Sequence, residues 1–170
     1  MRMSSSPCGE ATAIESIVRY ARLSDSLATA GQPTEAQLEA VAAAGFEVVI
    51  NLALHDDARY SLQDERATVA LLGMWYVHIP VQFAAPTRAD LVAFFAAMEH
   101  AGGRRVFVHC AHNQRVPVFL ALYRIARQGW SQAAALAAMR ELWQPDATWE
   151  KFIAQSLPDE VASPHHRAIP

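Results

Sequence analysis

Three short apolar runs that alternate with helical patterns constrain the fold of this chain more than any other feature. The runs span residues 46–52, 74–80 and 104–109 and are rich in β-branched and aromatic residues, as in strands that are buried on both faces of a parallel sheet. A fourth run, residues 27–30, predicts a short edge strand. The helical patterns span residues 34–44, 62–72, 87–101, 117–128, 131–143 and 146–153. We therefore expect an α/β fold with a mainly parallel central sheet, flanking helices and a helical C-terminal part.

The length and the two ends of the sequence predict one domain with flexible tails. A chain of 170 residues, 52% of them hydrophobic, is long enough for one domain with a sizeable core. We place this domain at residues 14–157 and predict flexible tails at residues 1–13 and 158–170, because the first segment is polar and the last holds three prolines without apolar periodicity. No apolar run reaches the roughly 18 residues of a membrane helix, and the N-terminal segment has no apolar signal core, so the sequence predicts a cytoplasmic protein.

The charge balance argues against a polyanionic partner. Fourteen basic and 17 acidic residues give a formal net charge of −3, with a sequence pI near 6.1. Such a chain has no broad basic surface for a nucleic acid or an anionic membrane, and we expect any attraction for anions to be local. The sequence predicts no cofactor and no metal, and it leaves the oligomeric state open.

The most informative segment is a strand, a short polar loop and the start of a helix. Strand residues 106–108 are followed by His109 and Cys110, then by the loop 111–114, and Arg115 opens an apolar helix. In open α/β sheets ligands collect at the carboxyl ends of strands, and a helix N-terminus offers unpaired N–H groups to an anion. A cysteine at this position ionises readily to the thiolate. The segment therefore predicts an oxyanion-binding loop with a cysteine nucleophile.

The chemical parts that phosphate-ester cleavage by cysteine requires are all present here. Cys110 supplies the nucleophile, the following turn is suited to a nest of backbone N–H donors, and Arg115 offers a planar fork that matches two phosphate oxygens. Asn113 is the loop residue best able to adopt a left-handed conformation, since the loop has no glycine. The alternative is a buried strand-end cysteine beside a helix-capping arginine, and the flanking strand and helix make it the weaker interpretation.

The segment resembles the signature of the cysteine-dependent protein tyrosine and dual-specificity phosphatases, in which His-Cys precedes a short loop and an Arg that opens a helix. The similarity is closer to a bacterial branch, related to the domain fused to some β-lactamase-like hydrolases, which has four residues between Cys and Arg, as here between Cys110 and Arg115. Residues 30–33 (Ala-Gly-Gln-Pro) and 46–52 also look like that branch. The resemblance covers about residues 23–152 and implies a dual-specificity-phosphatase-like fold.

The resemblance implies a role for each residue of the loop. Cys110 would attack phosphorus, Arg115 would hold the equatorial oxygens, and His109 would support the loop from behind. The phosphate-binding residues would be those whose backbone N–H groups line the cradle: Ala111, His112, Asn113, Gln114 and Arg115. The implied reaction is hydrolysis of a phosphoester through a phosphocysteine intermediate. The implied partner is the phosphorylated substrate, which is a phosphotyrosine, a phosphoserine or a small molecule.

The sequence departs from the family's pattern after the arginine. Family members commonly have a Ser or Thr hydroxyl there, which helps the thiolate to leave in the second step. Val116 and Pro117 occupy the corresponding stretch and supply no hydroxyl. We therefore expect slow hydrolysis of the intermediate.

A second departure concerns the general acid. The family's acid is usually an Asp in the loop after the preceding strand, and that loop here holds Gln82 and no carboxylate. Asp56 and Asp57 are the other candidates, because the loop that follows residues 46–52 should emerge at the same sheet edge as Cys110. The sequence leaves the choice among these three residues open.

These departures keep two further functions under consideration. One is a phosphate- or phosphoprotein-binding module, a pseudophosphatase with weak turnover. The other is a rhodanese-like sulfurtransferase, since such enzymes also carry a cysteine in a compact anion-binding loop.

Overall fold

The computed structural model describes residues 12–158 of the chain. The predicted tails, residues 1–13 and 158–170, lie outside this range except for residues 12, 13 and 158. Among the described residues, no helix is both long enough and apolar enough to cross a membrane.

A five-stranded sheet forms the centre of the fold. Its strands are β1 (Ala21–Ser24), β2 (Leu27–Ala30), β3 (Val48–Asn51), β4 (Trp75–His78) and β5 (Val106–His109). They lie in the order β1-β2-β5-β3-β4. β1 runs antiparallel to β2, and all other neighbours are parallel. The prediction of a mainly parallel central sheet is confirmed.

The edge of the sheet differs from the prediction. Residues 27–30 do form a strand, but this strand lies between β1 and β5, so its assignment as an edge strand is wrong. β1 forms that edge instead. The sequence did not predict it, because its four residues alternate between half-buried and exposed positions, include Arg22 and Ser24, and so form no apolar run. A strand with one solvated face and only four residues carries too weak a pattern to be recognised alone.

Six α-helices accompany the sheet in the described residues. They are α1 (Glu35–Ala43), α2 (Glu65–Leu71), α3 (Arg88–Ala101), α4 (Arg115–Arg127), α5 (Gln132–Leu142) and α6 (Ala147–Ser156). Each predicted helical pattern corresponds to one of them. The starts are well marked because side-chain caps satisfy the first amides: Thr34 and Thr87 form capping boxes, and Ser131 and Asp146 accept from a backbone N–H three residues on.

The helices cover both faces of the sheet. Val48 and Ile50 of β3 pack in a core with residues of α3 to α6, whereas Val49 packs on the other face with residues of α1 and α2. β5 alternates in the same way, with Val108 on the first face and Phe107 on the second. Because side chains alternate along a strand, the two residues that end this stretch of chain, His109 and Cys110, lie on opposite faces.

Candidate active site

Three parallel strands end at one edge of the sheet and bring the candidate loops together. Ala30 of β2 and Asn51 of β3 both pair with His109 of β5. The amide of Leu52 donates to the carbonyl oxygen of His109 at 2.8 Å, so the segment that follows β3 starts directly beside Cys110. The expectation that these two loops share an edge is confirmed.

The Cys110 loop is anchored on the segment that follows β2. The amide of Cys110 donates to the carbonyl oxygen of Ala30 at 3.3 Å, and the amide of Gln32 donates to that of Ala111 at 3.0 Å. Cys110 itself is completely buried, whereas Ala111 and His112 are partly exposed. Cys110 therefore lies at the base of the loop, and the residues after it form the accessible rim.

Gly31 makes this anchoring possible. A Cβ atom at this position would lie 2.6 Å from the carbonyl oxygen of Ala111 and 2.5 Å from Cγ1 of Val18. Real Cβ atoms do not approach other atoms so closely, so a side chain here would push the loop out of position. The close approach of two backbones explains the glycine in the Ala-Gly-Gln-Pro segment.

Asn113 forms the turn of the loop. Its φ is 55°, in the left-handed region that Asn tolerates better than most residues. Its side chain is buried, and Nδ2 donates to Oγ1 of Thr29 at 3.1 Å and to the carbonyl oxygen of Arg19 at 3.0 Å. These two hydrogen bonds hold the loop against β2 and against the segment before β1.

The loop presents backbone N–H groups at the start of a helix. Among the described residues, the amides of Ala111, His112 and Gln114 make no hydrogen bond to another backbone group. α4 begins immediately afterwards at Arg115, and Gln114 supplies no side-chain cap. Unpaired amides and the positive end of the helix dipole together favour an anion at this position.

The side chain of Arg115 is held in place by contacts with the segment that follows β4. It is 8% exposed, and its Nε donates to the carbonyl oxygen of Val81 at 2.9 Å. The guanidinium carbon lies 5.2 Å from the centre of the Phe83 ring. Within the described residues, the two terminal nitrogens of this guanidinium donate no hydrogen bond, so they remain able to bind two oxygens of an oxyanion.

The three candidates for the general acid differ in their surroundings: two are exposed, and the third is the cap of a turn. Gln82 is exposed and directly follows Val81, the residue that Arg115 holds. Asp56 is exposed as well. Asp57 caps a 3-10 turn, Ala58–Tyr60.

Asp57 has its charge satisfied within its own loop. Its Oδ2 lies 2.7 Å from Nη2 of Arg59, and hydrogen bonds from the Arg59 side chain lower the pKa of the carboxyl to about 2. The adjoining turn touches the Cys110 loop, because the rings of Tyr60 and His112 are 4.4 Å apart. Asp57 is therefore near the loop but ionised at neutral pH, and in this arrangement it has no proton to donate.

Comparison with known proteins identifies the family. Residues 14–155 match the family described as DSP-PTPase phosphatase fused to NAD+ kinase. The chain belongs to this phosphatase family. The proteins related to it are cysteine-dependent phosphatases, which are hydrolases that act on phosphoric esters, and the predicted family resemblance is confirmed.

Individual relatives support the same assignment of this phosphatase. A DUF442 phosphatase from Shewanella putrefaciens CN-32 is 30% identical, with a TM-score of 0.74 over 84% of this chain and 91% of its own. TpbA from P. aeruginosa is 20% identical, with a TM-score of 0.65 over 81% of this chain and 84% of its own, and shows the shared fold alone. A β-lactamase hydrolase-like protein from Agrobacterium fabrum (strain C58 / ATCC 33970) is 32% identical over 100 residues, which are 58% of this chain and 23% of that protein. The chain therefore covers about a quarter of that curated relative.

Several residues that support the Cys110 loop were not recognised from the sequence. Beneath His109 lies the carboxylate of Glu65, which is 1% exposed and accepts hydrogen bonds from Gln32 and Asn51. Glu65 escaped notice because an acidic residue in the first turn of a helix is ordinary. Asn51 did carry a signal, since a polar residue in an otherwise apolar buried strand needs a partner. Gly31 and Gln32 were noted only as part of a family-like string.

Proposed function

We propose that this chain is a phosphatase that hydrolyses a phosphoester through a phosphocysteine intermediate on Cys110. The observation that carries the proposal is that Cys110 and Arg115 flank a single loop, in which the amides of Ala111, His112 and Gln114 donate to no other backbone group and which leads into α4. In the proposed site, the amides of residues 111–115 and the two terminal nitrogens of Arg115 bind the oxygens of the phosphoryl group. His109 supports the loop from the opposite face of the sheet.

In the first step, the Cys110 thiolate attacks phosphorus while the bond from phosphorus to the ester oxygen breaks. The amides and the guanidinium of Arg115 stabilise the charge on the equatorial oxygens. The departing oxygen needs a proton, and the amide of Gln82 is no acid, so we assign Gln82 to a hydrogen bond with the leaving group or with a water that donates the proton. Asp56 or Asp57 is the alternative donor. If Asp57 is the donor, the loop must rearrange, because its ion pair with Arg59 keeps it ionised.

In the second step, a water molecule attacks the phosphocysteine. The sulfur–phosphorus bond breaks, inorganic phosphate leaves and the thiolate is restored. Thiolate departure is assisted in many relatives by a hydroxyl after the arginine, whereas Val116 and Pro117 are buried and apolar here. We therefore propose that this second step limits turnover.

The proposed substrate is a phosphomonoester on a protein tyrosine or serine, or on a small molecule. The loop recognises the phosphoryl group, which all of these share. The structure of TpbA in complex with phosphotyrosine concerns that protein, and it supports a phosphorylated side chain as one ligand that this fold accommodates. A reducing compartment such as the cytoplasm suits a free thiolate nucleophile, and we propose that location.

A second candidate function is a phosphate- or phosphoprotein-binding module with weak turnover. Gln82 in place of an acid, together with the missing hydroxyl after Arg115, favours it. The oxyanion cradle would be the same, but neither step would be accelerated enough for efficient catalysis. The two functions therefore differ in turnover and agree in binding.

The test is phosphate release from p-nitrophenyl phosphate by the wild type, with Cys110→Ser as the matched control. Turnover above the control, with a phosphoryl group on Cys110 in acid-quenched protein by mass spectrometry, supports the phosphatase. Vanadate or phosphate binding with turnover no higher than Cys110→Ser supports the binding module instead. Transfer of sulfur from thiosulfate to cyanide at a rate above phosphate release would identify a sulfurtransferase and overturn both.

A further inference from the structure

A buried carboxylate lies under the nucleophile loop at the sheet edge. Glu65, the first residue of α2, is 1% exposed. Its Oε1 accepts from Nε2 of Gln32 and its Oε2 from Nδ2 of Asn51, each at 2.7 Å. Nε2 of His109 lies 3.1 Å from Oε1 and 3.2 Å from Oε2. A buried carboxylate is costly unless donors compensate its charge. Glu65 has such donors in Gln32, Asn51 and His109, which come from the ends of three neighbouring strands.

The two nitrogens of His109 both face atoms that only accept hydrogen bonds. Nε2 faces the Glu65 carboxylate, and Nδ1 lies 3.3 Å from the carbonyl oxygen of Cys110. A neutral imidazole carries one N–H and would leave one of these contacts without a hydrogen. Only a ring with two N–H groups can donate to both acceptors, and the His109 ring is completely buried, where a charge needs a partner of opposite sign.

Glu65 is the negatively charged group that contacts the His109 ring. The other titratable groups near the His109 ring are Tyr76 of β4, whose hydroxyl hydrogen-bonds the Glu65 carboxylate and lies 3.1 Å from Nδ2 of Asn51, and His55 of the loop after β3, whose Nε2 lies 3.1 Å from the same nitrogen. Burial and the charge of Glu65 raise the pKa of Tyr76, so its hydroxyl stays neutral. Burial and neighbouring His78 lower the pKa of His55, so it adds no positive charge at neutral pH.

Two further titratable groups lie at the periphery of this network. The Arg66 guanidinium lies over the Tyr76 ring, 5.1 Å from its centre, and forms no ion pair with Glu65 within the described residues. Cys110 follows His109 on the same stretch of chain and ends on the opposite face of the sheet. Glu65 therefore stands as the one anion in contact with His109 among residues 12–158.

We propose that Glu65 is a positioning residue for Cys110: it holds His109 as an imidazolium whose Nδ1–H fixes the Cys110 carbonyl, and whose charge favours the Cys110 thiolate. The proposal rests on the proposed function, in which that thiolate is the nucleophile. Glu65 touches neither the substrate nor the sulfur, so it acts only through His109. A purely structural Glu65 would instead serve to tie α2 to β2 and β3 through Gln32 and Asn51.

The first test is the pH profile of Cys110 alkylation by iodoacetamide. It is measured in a Cys8→Ser background, which leaves one thiol, and compares this background with Glu65→Gln and with Glu39→Gln, an exposed glutamate on α1. We expect Glu65→Gln to react about tenfold more slowly near pH 6, the effect of moving the profile by one pH unit, and to reach the background rate at high pH. Glu39→Gln should follow the background throughout. A lowered melting temperature with an unchanged profile would assign Glu65 a structural role and overturn the proposal.

The second test needs no variant. The 15N chemical shifts of the His109 ring should show both nitrogens protonated in the background protein at neutral pH, and a single protonated nitrogen would overturn the proposal even if Glu65→Gln failed to fold. Neither readout depends on turnover. If Glu65→Gln shifts the alkylation profile but the background protein has no phosphatase activity, the proposed function alone is contradicted. If the background protein is an active phosphatase but Glu65→Gln leaves the profile unchanged, the role of Glu65 alone is contradicted.

Discussion

Asn113 donates a hydrogen bond from Nδ2 to the carbonyl oxygen of Arg19, and these two residues, with φ of 55° and 51°, are the non-glycine residues with positive φ among residues 12–158. They are 94 positions apart in sequence. A left-handed conformation costs a non-glycine residue roughly 1–2 kcal/mol, least for Asn. The hydrogen bond at 3.0 Å joins two strained turns, so each supports the shape of the other. The turn of the Cys110 loop is thus held in place by the segment before β1.

Substitutions at Asn113 should separate backbone conformation from side-chain bonding. Asn113→Gly loses the hydrogen bonds to Thr29 and Arg19 but adopts the positive φ without strain. Asn113→Ala loses the same hydrogen bonds and is also strained at this φ. We expect Asn113→Ala to be about 1 kcal/mol less stable than Asn113→Gly and to have the lower turnover. Urea unfolding and p-nitrophenyl phosphate assays measure the two effects. Equal stability of the two variants would contradict a role for the left-handed turn.

Gly31→Ala should displace the Cys110 loop. The new methyl group would meet the carbonyl oxygen of Ala111 and Cγ1 of Val18, and overpacking of this kind costs about 1–3 kcal/mol. Turnover should fall along with the melting temperature. Gly103→Ala is the matched control, because a Cβ there meets no atom within 4 Å. If Gly31→Ala were as stable and active as Gly103→Ala, the close approach of the two backbones would have no functional importance.

Arg115→Lys should lose oxyanion binding although the charge is kept. The guanidinium donates to Val81 through Nε and still offers two parallel donors, whereas one ammonium cannot occupy both places. We expect turnover to fall at least about a hundredfold, as for the removal of one oxyanion donor. Protection of Cys110 by vanadate against alkylation gives a second readout. Arg127→Lys, an exposed arginine on the same helix, is the control and should change neither quantity.

The choice among the acid candidates can be made with two leaving groups. Aryl phosphates hardly need protonation of the leaving oxygen, whereas alkyl phosphates do, and general acid catalysis contributes roughly 10²–10⁴-fold. If Gln82 occupies the place of the acid, Gln82→Asp should raise alkyl phosphate turnover most, and Asp56→Asn and Asp57→Asn should do little. A heavy loss in either Asp variant, with no gain from Gln82→Asp, would assign the proton to the loop after β3.

The stability of the fold should depend on the ionisation of Glu65. Burial alone would raise its pKa, but the charge and hydrogen bond of His109 and the hydrogen bond of Gln32 outweigh burial, and the pKa is lowered from 4.5 to about 2. A lowered pKa stabilises the folded state above the ordinary value and stops doing so as the pH falls through the folded value. The unfolding free energies of wild type and Glu65→Gln should therefore differ most above about pH 4.5 and converge toward pH 2. A difference that stayed constant over this range in urea titrations would contradict the ion pair with His109.

The sequence by itself determined the local elements of this protein. The six helices were predicted because caps such as Thr34 and Thr87 and apolar periodicity are properties of adjacent residues. The strand, loop and helix around Cys110 and Arg115 were predicted for the same reason, since all of their parts lie within one short segment. That local signal was enough to identify the family and to predict the position of an anion-binding loop.

Only the tertiary structure decided what holds the loop. Glu65 lies 44 positions from His109, and β1 forms the sheet edge without an apolar run of its own. Gly31 meets Ala111 because β2 lies beside β5 in the sheet. Such contacts depend on the order of the strands, which brings distant segments to one edge, and no spacing along the chain encodes that order. A buried ion pair and a close backbone approach are therefore evident only after the sheet has formed, because each is a relation between surfaces that the folded chain creates.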